Sequence, residues 1–280
     1  MIKRAASLLM PILLGKVPKN IPLLYPFYIA GQLTTAQDEL YLPGLPEAYD
    51  GFTVGYASDI HYGPLFHREE AERLYDALLD LKTDLLVLGG DYGNKLENAI
   101  ALFELFPPFP RELIVLAAIG NHDYGKRGES IQPLLNIMQT KNVISLINQT
   151  WKITRETATL AVSIPDDILC GTPDLNALKT QTAGAGFVMF APHSPDILPE
   201  AEKQAGFRFD LALCGHTHGG QLVIFGRSLH SSSAYGDTYA RGWMDAHGGK
   251  LLVTHGVGTS LLPMRLGVRP QIHRITLKRK

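Results

Sequence analysis

Two histidines one residue apart, His216 and His218, follow the apolar run Leu211-Ala212-Leu213 and are flanked by Gly215, Gly219 and Gly220. In an extended backbone, residues i and i+2 point the same way, so both imidazoles can face one site. The glycines let the backbone turn sharply and approach a ligand with no Cβ in the way. Such a pair grips a metal ion only if other parts of the chain supply the remaining ligands. Upstream clusters offer them: Asp59 with His61, another i, i+2 pair; Asp91 after Gly89-Gly90; Asn121, His122 and Asp123 after Gly120; and His193 after Ala191-Pro192. Taken singly, each has an ordinary reading. Asp after Gly-Gly suits a turn or a helix cap, Asn121 is a common loop residue, and a histidine beside an apolar strand suits the core or the surface. Taken together they mix carboxylate, imidazole and amide, a donor set for Mn, Fe or Zn and poorly suited to calcium.

The surrounding pattern explains how such residues would meet. Residues 52–57, 85–88 and 113–119 are apolar runs that read as strands, and each delivers one of the polar clusters at its C-terminal end. The run at 85–88 is continuously apolar, as a strand buried on both faces should be. Between the first two, residues 68–82 read as a helix, with Ala71, Leu74, Tyr75, Leu78 and Leu81 on one face. Residues 143–146, 150–154, 157–162, 187–190, 211–213, 251–253 and 272–277 read as further strands, and 196–204 as a short helix. The fold class expected is α/β, and in open α/β sheets ligands bind at the carboxyl ends of the strands. Residues 38–50, with Pro43, Gly44 and Pro46, read as connecting chain.

The series Asp59-x-His61, Gly90-Asp91, Gly120-Asn121-His122-Asp123, His193 and Gly215-His216-x-His218 resembles the calcineurin-like metallophosphoesterases. All five blocks occur in order, over residues 59–218. The resemblance implies a single catalytic domain folded as a four-layer α/β/β/α sandwich, with two divalent metal ions, Mn, Fe or Zn. It implies that Asp59, His61, Asp91 and His218 hold one ion, and that Asp91 as a bridge, Asn121, His193 and His216 hold the other. His122 would then stand near the leaving group as a catalytic residue, with Asp123 orienting it. The chemistry agrees: paired cations polarise a phosphoryl group and acidify water, and an in-line displacement needs a proton for the departing oxygen.

The tail, Gly219-Gly220-Gln221 and the stretch from Gly256 to Pro270, resembles a bacterial membrane-associated phosphodiesterase branch that includes UDP-2,3-diacylglucosamine pyrophosphatases. A separate lipid A pyrophosphatase branch carries Arg where this chain has His122. Arg265 and Arg269 lie in this tail, and a guanidinium fork suits a phosphate or diphosphate, so both are candidate substrate ligands, with structural ion pairing as the other reading. Tyr235, Tyr239 and Arg241 lie in a Ser/Gly-rich loop that could cover the site.

The expected division is an apolar, cationic arm over residues 1–48 and a metallophosphoesterase domain over 49–280. The arm has no acidic residue before Asp38, and its apolar runs, broken by Pro11, Pro22 and Pro26, fall short of the ~20 residues a spanning helix needs. Residues 1–33 therefore suit peripheral contact with an anionic membrane face, or packing back onto the domain. A net charge of −1 gives no global field for nucleic acid. Cys170 and Cys214 form no disulfide framework, which suits a reducing, cytoplasmic setting at the inner face of the membrane. The expected substrate is a phosphodiester or pyrophosphate, probed first as a nucleotide-lipid. The rivals are a soluble phosphodiesterase of nucleotides or other small diesters, and a scaffold of the same fold without catalysis.

Overall fold

The computed structural model describes residues 21–126 and 129–280. Its strands, in chain order, are β1 (Thr34–Leu42), β2 (Thr53–Ala57), β3 (Leu85–Leu88), β4 (Ile114–Ala117), β5 (Ile144–Ser145), β6 (Gln149–Arg155) and β7 (Ala158–Ile164). There follow β8 (Phe187–Phe190), β9 (Leu211–Cys214), β10 (Val223–Ile224), β11 (Arg227–Ser228), β12 (Gly242–Ala246), β13 (Gly249–Val253) and β14 (Gln271–Arg279). The α-helices that matter for packing are α1 (Tyr25–Ala30), α2 (Arg68–Asp80), α3 (Leu96–Leu105), α4 (Gln132–Thr140) and α5 (Leu175–Thr182).

Two six-stranded sheets form, in the orders β1-β14-β2-β3-β4-β5 and β12-β13-β9-β8-β7-β6. Strands β2 to β5 are mutually parallel, as are β7, β8, β9 and β13, so their carboxyl ends converge on one edge of the molecule. The sheets face one another through a dry core in which Val54, Leu85, Val87 and Leu116 of the first meet Leu160, Val162, Phe187 and Leu213 of the second. Burying each such side chain stabilises the fold by about 1.5–3 kcal/mol. On the outer face of the first sheet, Leu86, Leu88 and Val115 pack on Leu74 of α2, Leu102 of α3 and Met138 of α4. On the outer face of the second, Phe190, Ala212 and Leu251 pack on Leu178 of α5 and on Ile197 and Leu198. The architecture is the four-layer α/β/β/α sandwich, with the apolar face of α2 (Ala71, Leu74, Tyr75, Leu78) buried as its periodicity predicts.

Three segments differ from the sequence reading. Residues 34–42, expected as the end of the arm and the start of connecting chain, form the edge strand β1, paired in parallel with β14 from Thr34↔Gln271 to Leu42↔Arg279. Its exposure alternates along the strand, because only one face meets the core. Helix α2 stops at Asp80 rather than Lys82, where Lys82 takes a φ of 50° that a helix cannot continue through. The helix expected over 196–204 is a chain of short pieces, Pro195–Ile197, Leu198–Glu200 and Ala201–Ala205, because Pro195 and Pro199 interrupt it and Gly206 ends it at φ 55°.

Of the arm, residues 1–20 lie outside the described residues. The remainder packs onto the domain: Ile29 of α1 is buried, and the Arg265 N–H donates to the Pro26 carbonyl at 2.9 Å. No helix among the described residues is long and apolar enough to cross a membrane.

Tyr49, fully buried after β1, ties the first sheet to the second: its hydroxyl donates to the Ile153 carbonyl at 2.5 Å and accepts from the Leu160 N–H at 3.2 Å. Tyr49→Phe is expected to lower unfolding free energy by about 1–3 kcal/mol, the cost of stranding a buried polar partner. Urea unfolding checks this, and an unchanged midpoint would refute the tie.

Candidate metal centre

The strand ladders continue past the strand ends into the loops that carry the polar clusters. After β2 and β3, Asp59 N–H donates to the Gly90 carbonyl at 2.9 Å and His61 N–H to the Asp91 carbonyl at 3.0 Å. After β9, Gly215 N–H donates to the His193 carbonyl at 2.8 Å. The two sheets are joined at the same edge. His216 N–H donates to the Asp59 carboxylate at 2.9 and 3.1 Å, and His193 Nδ1 lies 2.8 Å from the Gly89 carbonyl. A carbonyl only accepts, so Nδ1 of His193 carries a proton, and the ring turns Nε2 toward Asp91 Oδ2 at 3.3 Å.

Residues Asp59, His61, Asp91, His193, His216 and His218 are brought together and buried, with His122 half-buried beside them; Asn121, which precedes His122 in the chain, is half-buried as well. Ligand atoms of Asp59, His61 and His218 lie within 4.8 Å of one another, as do those of Asp91, His193 and His216, and of His61, Asp91 and His122. Asp91 belongs to two of these groups and stands between them. Its Oδ2 is 3.3 Å from His193 Nε2 and 3.6 Å from His61 Nε2. The Nε2 atoms of His61 and His218 approach to 3.0 Å. Asn121 Oδ1 and His216 Nε2 are buried with no hydrogen-bond partner among the described residues. Buried polar atoms are ordinarily partnered, and these sit in a donor set of carboxylate, imidazole and amide. The residues present therefore fit divalent metal.

Backbone and electrostatics support the same arrangement. Asp59, His61, Asp91, His216 and His218 all have φ between 50° and 68°, a left-handed conformation uncommon outside glycine. Such strain costs about 1–3 kcal/mol per residue and persists only where the surroundings impose it. A Cβ on Gly120 would collide with the Asp91 carboxylate, and one on Gly215 with Ser58 and Asp59, so these glycines admit the ligand loops. Burial lowers His61 to about 4, and burial with the adjacent His193 lowers His216 to about 4. Burial, with His61 beside it, also holds His218 well below its ordinary value. These rings stay neutral at physiological pH, with lone pairs available to a cation. Burial pushes Asp59 up to about 6. Asp91 is held well below the usual carboxylate range: burial, the largest single influence, opposes this, but the interactions with His193, His61 and His122 together outweigh it.

The structure places three of the expected residues differently. Asp123 is fully buried, and its carboxylate accepts from the backbone N–H groups of Asp91 (2.7 Å), Tyr92 (2.8 Å) and Gly120 (2.9 Å). It fastens the loop after β3 to the loop after β4 and makes no hydrogen bond to His122 among the described residues. His122 is set otherwise: its N–H donates to Asp91 Oδ1 at 2.8 Å, and its Nδ1 lies 3.3 Å from the Asn94 carbonyl. Arg265, expected to face substrate or an ion pair, is at 0% exposure. Its guanidinium donates to the carbonyls of His218, Gly256 and Gly258, bracing the backbone behind the site. Arg269 is exposed, and its carbonyl lies 3.2 Å from His255 Nδ1. Arg241 was not singled out as a brace, yet it donates to the Gly219 carbonyl at 3.1 Å and to Ser228 Oγ at 2.8 Å. Thr217 Oγ1 donates to the Ala240 carbonyl at 2.7 Å, so the Ser/Gly-rich loop is pinned to the His216–Gly219 turn. No sequence pattern marks such carbonyl-directed contacts.

The model of the calcineurin-like phosphoesterase family matches residues 52–220, a span that holds every one of these ligand candidates. The chain is 30% identical over 234 residues to an uncharacterized metallophosphoesterase of Aquifex aeolicus (strain VF5), covering 80% of this chain and 84% of that protein. It is 27% identical over 241 residues to the uncharacterized metallophosphoesterase YkuE of Bacillus subtilis (strain 168), covering 84% and 82%. It is 28% identical over 236 residues to phosphodiesterase YaeI of Escherichia coli (strain K12), covering 81% and 82%.

The placement of Asp123 has a measurable consequence. In Asp123→Asn, an amide N–H₂ must face a backbone N–H, which disorders the Asp91 loop. Affinity for Mn²⁺ in a calorimetric titration is expected to fall about 10–100-fold, as for other groups that orient ligands, while His122→Ala, which leaves these bonds intact, keeps most of it. Equal affinity in Asp123→Asn and wild type would contradict the assignment.

Proposed function

Because the chain belongs to the calcineurin-like phosphoesterase family, and with it is a metal-dependent phosphoric ester hydrolase, we propose that it cleaves a phosphodiester or pyrophosphate bond of a membrane-derived substrate such as UDP-2,3-diacylglucosamine. In this reading Asp59, His61, Asp91 and His218 hold one divalent ion, and Asp91, Asn121, His193 and His216 hold a second. The observation that supports it most is the central carboxylate of Asp91, shared by two ligand groups, beside the unpartnered Asn121 Oδ1 and His216 Nε2. Divalent ions held there supply Lewis acidity, polarising phosphoryl oxygens and acidifying water.

The protein's own residues supply the rest. The Nδ1–H of His122 donates to the Asn94 carbonyl, which leaves Nε2 as the nitrogen that delivers a proton to the departing oxygen. The Asp91 carboxylate, by accepting the His122 N–H, fixes that ring relative to the ligand set. Asp123 holds both loops in register and so acts on turnover through Asp91. The membrane-derived substrate rests on the resemblance of residues 256–270 to the UDP-2,3-diacylglucosamine pyrophosphatase branch and on the cationic, apolar sequence of residues 1–33. Peripheral attachment at the inner membrane face, through an arm ahead of the catalytic domain, belongs to the same reading. The second reading is a soluble phosphodiesterase of small diesters, favoured by the packing of α1 onto the domain.

Two experiments follow. Purified protein with Mn²⁺ is expected to release UMP from UDP-2,3-diacylglucosamine in mixed micelles and to stop when a chelator is added. Cleavage of bis-p-nitrophenyl phosphate without UMP release would discard the lipid substrate and leave the soluble diesterase. His122→Ala is expected to lower kcat about 10²–10⁴-fold on a substrate with a basic leaving group, and far less on a p-nitrophenyl ester, whose phenolate leaves without a proton. Equal losses on both would remove His122 from the role of acid.

A further inference from the structure

Three turns meet next to the His218–Gly220 turn, and each leaves a large apolar side chain to water. Phe225, at the tip of the β10–β11 hairpin, is fully exposed, Leu261 is 90% exposed and Leu23, just before α1, is 84% exposed. Backbone and amide bonds hold these turns side by side. The Gln221 side chain donates to the Ser260 and Leu262 carbonyls at 2.9 and 3.0 Å, and accepts from the Ser260 N–H at 2.9 Å. Val223 N–H donates to the Leu266 carbonyl at 2.7 Å, and Arg265 N–H to the Pro26 carbonyl at 2.9 Å. Phe225 and Leu261 take φ values of 49° and 60°, which apolar residues avoid. The backbone is thus held against its own preference with these side chains outward.

The charge around the rim is predominantly positive; Asp237 is the exception, its Oδ2 accepting from the Ser228 N–H at 3.1 Å and its Oδ1 lying 3.7 Å from Arg241 Nη1. None of the chain's acidic residues lies within 1–37, 211–236 or 246–280, the stretches that supply these turns. Arg227 stands beside the hairpin tip and Arg269 follows the Leu261 loop, both exposed. Separate apolar tips on tight turns, with exposed arginines among them and Asp237 tied to Ser228 and Arg241, do not form a groove for a peptide. They match the boundary of an anionic bilayer, where apolar side chains enter among the acyl ends of the headgroups and cations stay at the phosphates.

We propose that this rim docks the protein on an anionic lipid surface, with Phe225, Leu261 and Leu23 inserted and Arg227 and Arg269 at the lipid phosphates, so that the metal centre faces the bilayer edge. The purpose of the docking rests on the reading of the substrate as membrane-derived, whereas the docking itself is measured without turnover. The full chain is sedimented with vesicles of phosphatidylcholine alone and of phosphatidylcholine mixed with phosphatidylglycerol. Wild type is expected to pellet with the anionic vesicles and to partition weakly to the neutral ones. The double variant Phe225→Ser, Leu261→Ser, which keeps residues 1–33 intact, is expected to lose at least about ten-fold in partition while hydrolysing soluble bis-p-nitrophenyl phosphate at the wild-type rate. Wild type left in the supernatant, or undiminished partition of the variant, would overturn the proposal. So would sedimentation velocity showing that the rim pairs two copies of the chain, with neither bound to vesicles. Vesicle binding without UMP release would keep the docking surface and discard the lipid substrate.

Discussion

Asp59 and Asp91 are withdrawn from water together, at 0% and 2% exposure, in contact with His61 and His218, which burial keeps neutral, and with His193, which, against burial, the carboxylates shift upward. Removing an ionised carboxylate from water costs several kcal/mol even after the surroundings relax. Only part of that cost is offset by the backbone N–H groups of His216 and His122, which point at the two carboxylates. Divalent cations held there would complete the balance, and the donor types of the site suit that need. Neutral imidazoles add ligand atoms without adding charge, Asn121 would add an acceptor oxygen, and the fully buried guanidinium of Arg265 is directed at the carbonyls of His218, Gly256 and Gly258, with His218 Nδ1 3.5 Å away.

The same demand explains the strained backbone. Five of the candidate ligands sit in the left-handed region, and the loops that hold them are fixed by contacts from other residues. The ladders of β2, β3 and β9 run on into the loops, Asp123 staples the second loop to the third, and Arg241 and Arg265 brace the turn at His218 from two sides. A site built this way is rigid before any ligand arrives, which is what positioning a phosphoryl group for in-line attack requires. It also sets the site where the two sheets meet, so that the packing of Val87 against Phe187 and Leu213 and the geometry of the centre depend on each other.

Much of this was legible in the sequence, for a physical reason. Parallel strands covered on both faces must be continuous apolar runs, so 85–88 and 211–213 declare themselves, and polar residues that follow such runs fall at the edge where ligands bind. Six of the ligand candidates, Asp59, His61, Asp91, His193, His216 and His218, lie in overlapping or adjoining groups, and α2 buried the face its periodicity marked. What escaped was non-local. Strand β1 is Thr34-Thr35-Ala36-Gln37-Asp38-Glu39-Leu40-Tyr41-Leu42, polar for most of its length, and it is a strand because β14, more than two hundred residues away, offers it an edge. Asp123 looked like a partner for its neighbour His122, yet its three donors come from the backbone of two loops. Arg265 looked like a phosphate ligand or an ion-pair partner, but a guanidinium directed at backbone carbonyls leaves no trace in residue types.

The measurement that bears most directly on the centre is calorimetric titration of metal-free protein with Mn²⁺, run on wild type and on Asp91→Asn, with hydrolysis of bis-p-nitrophenyl phosphate assayed on the same samples. The account predicts two ions bound per chain and metal-dependent turnover in wild type. It predicts that Asp91→Asn, folded by circular dichroism, loses tight binding and turnover together, because one carboxylate serves both ions. Retention of full activity by Asp91→Asn, or turnover by wild type that binds no metal, would contradict it.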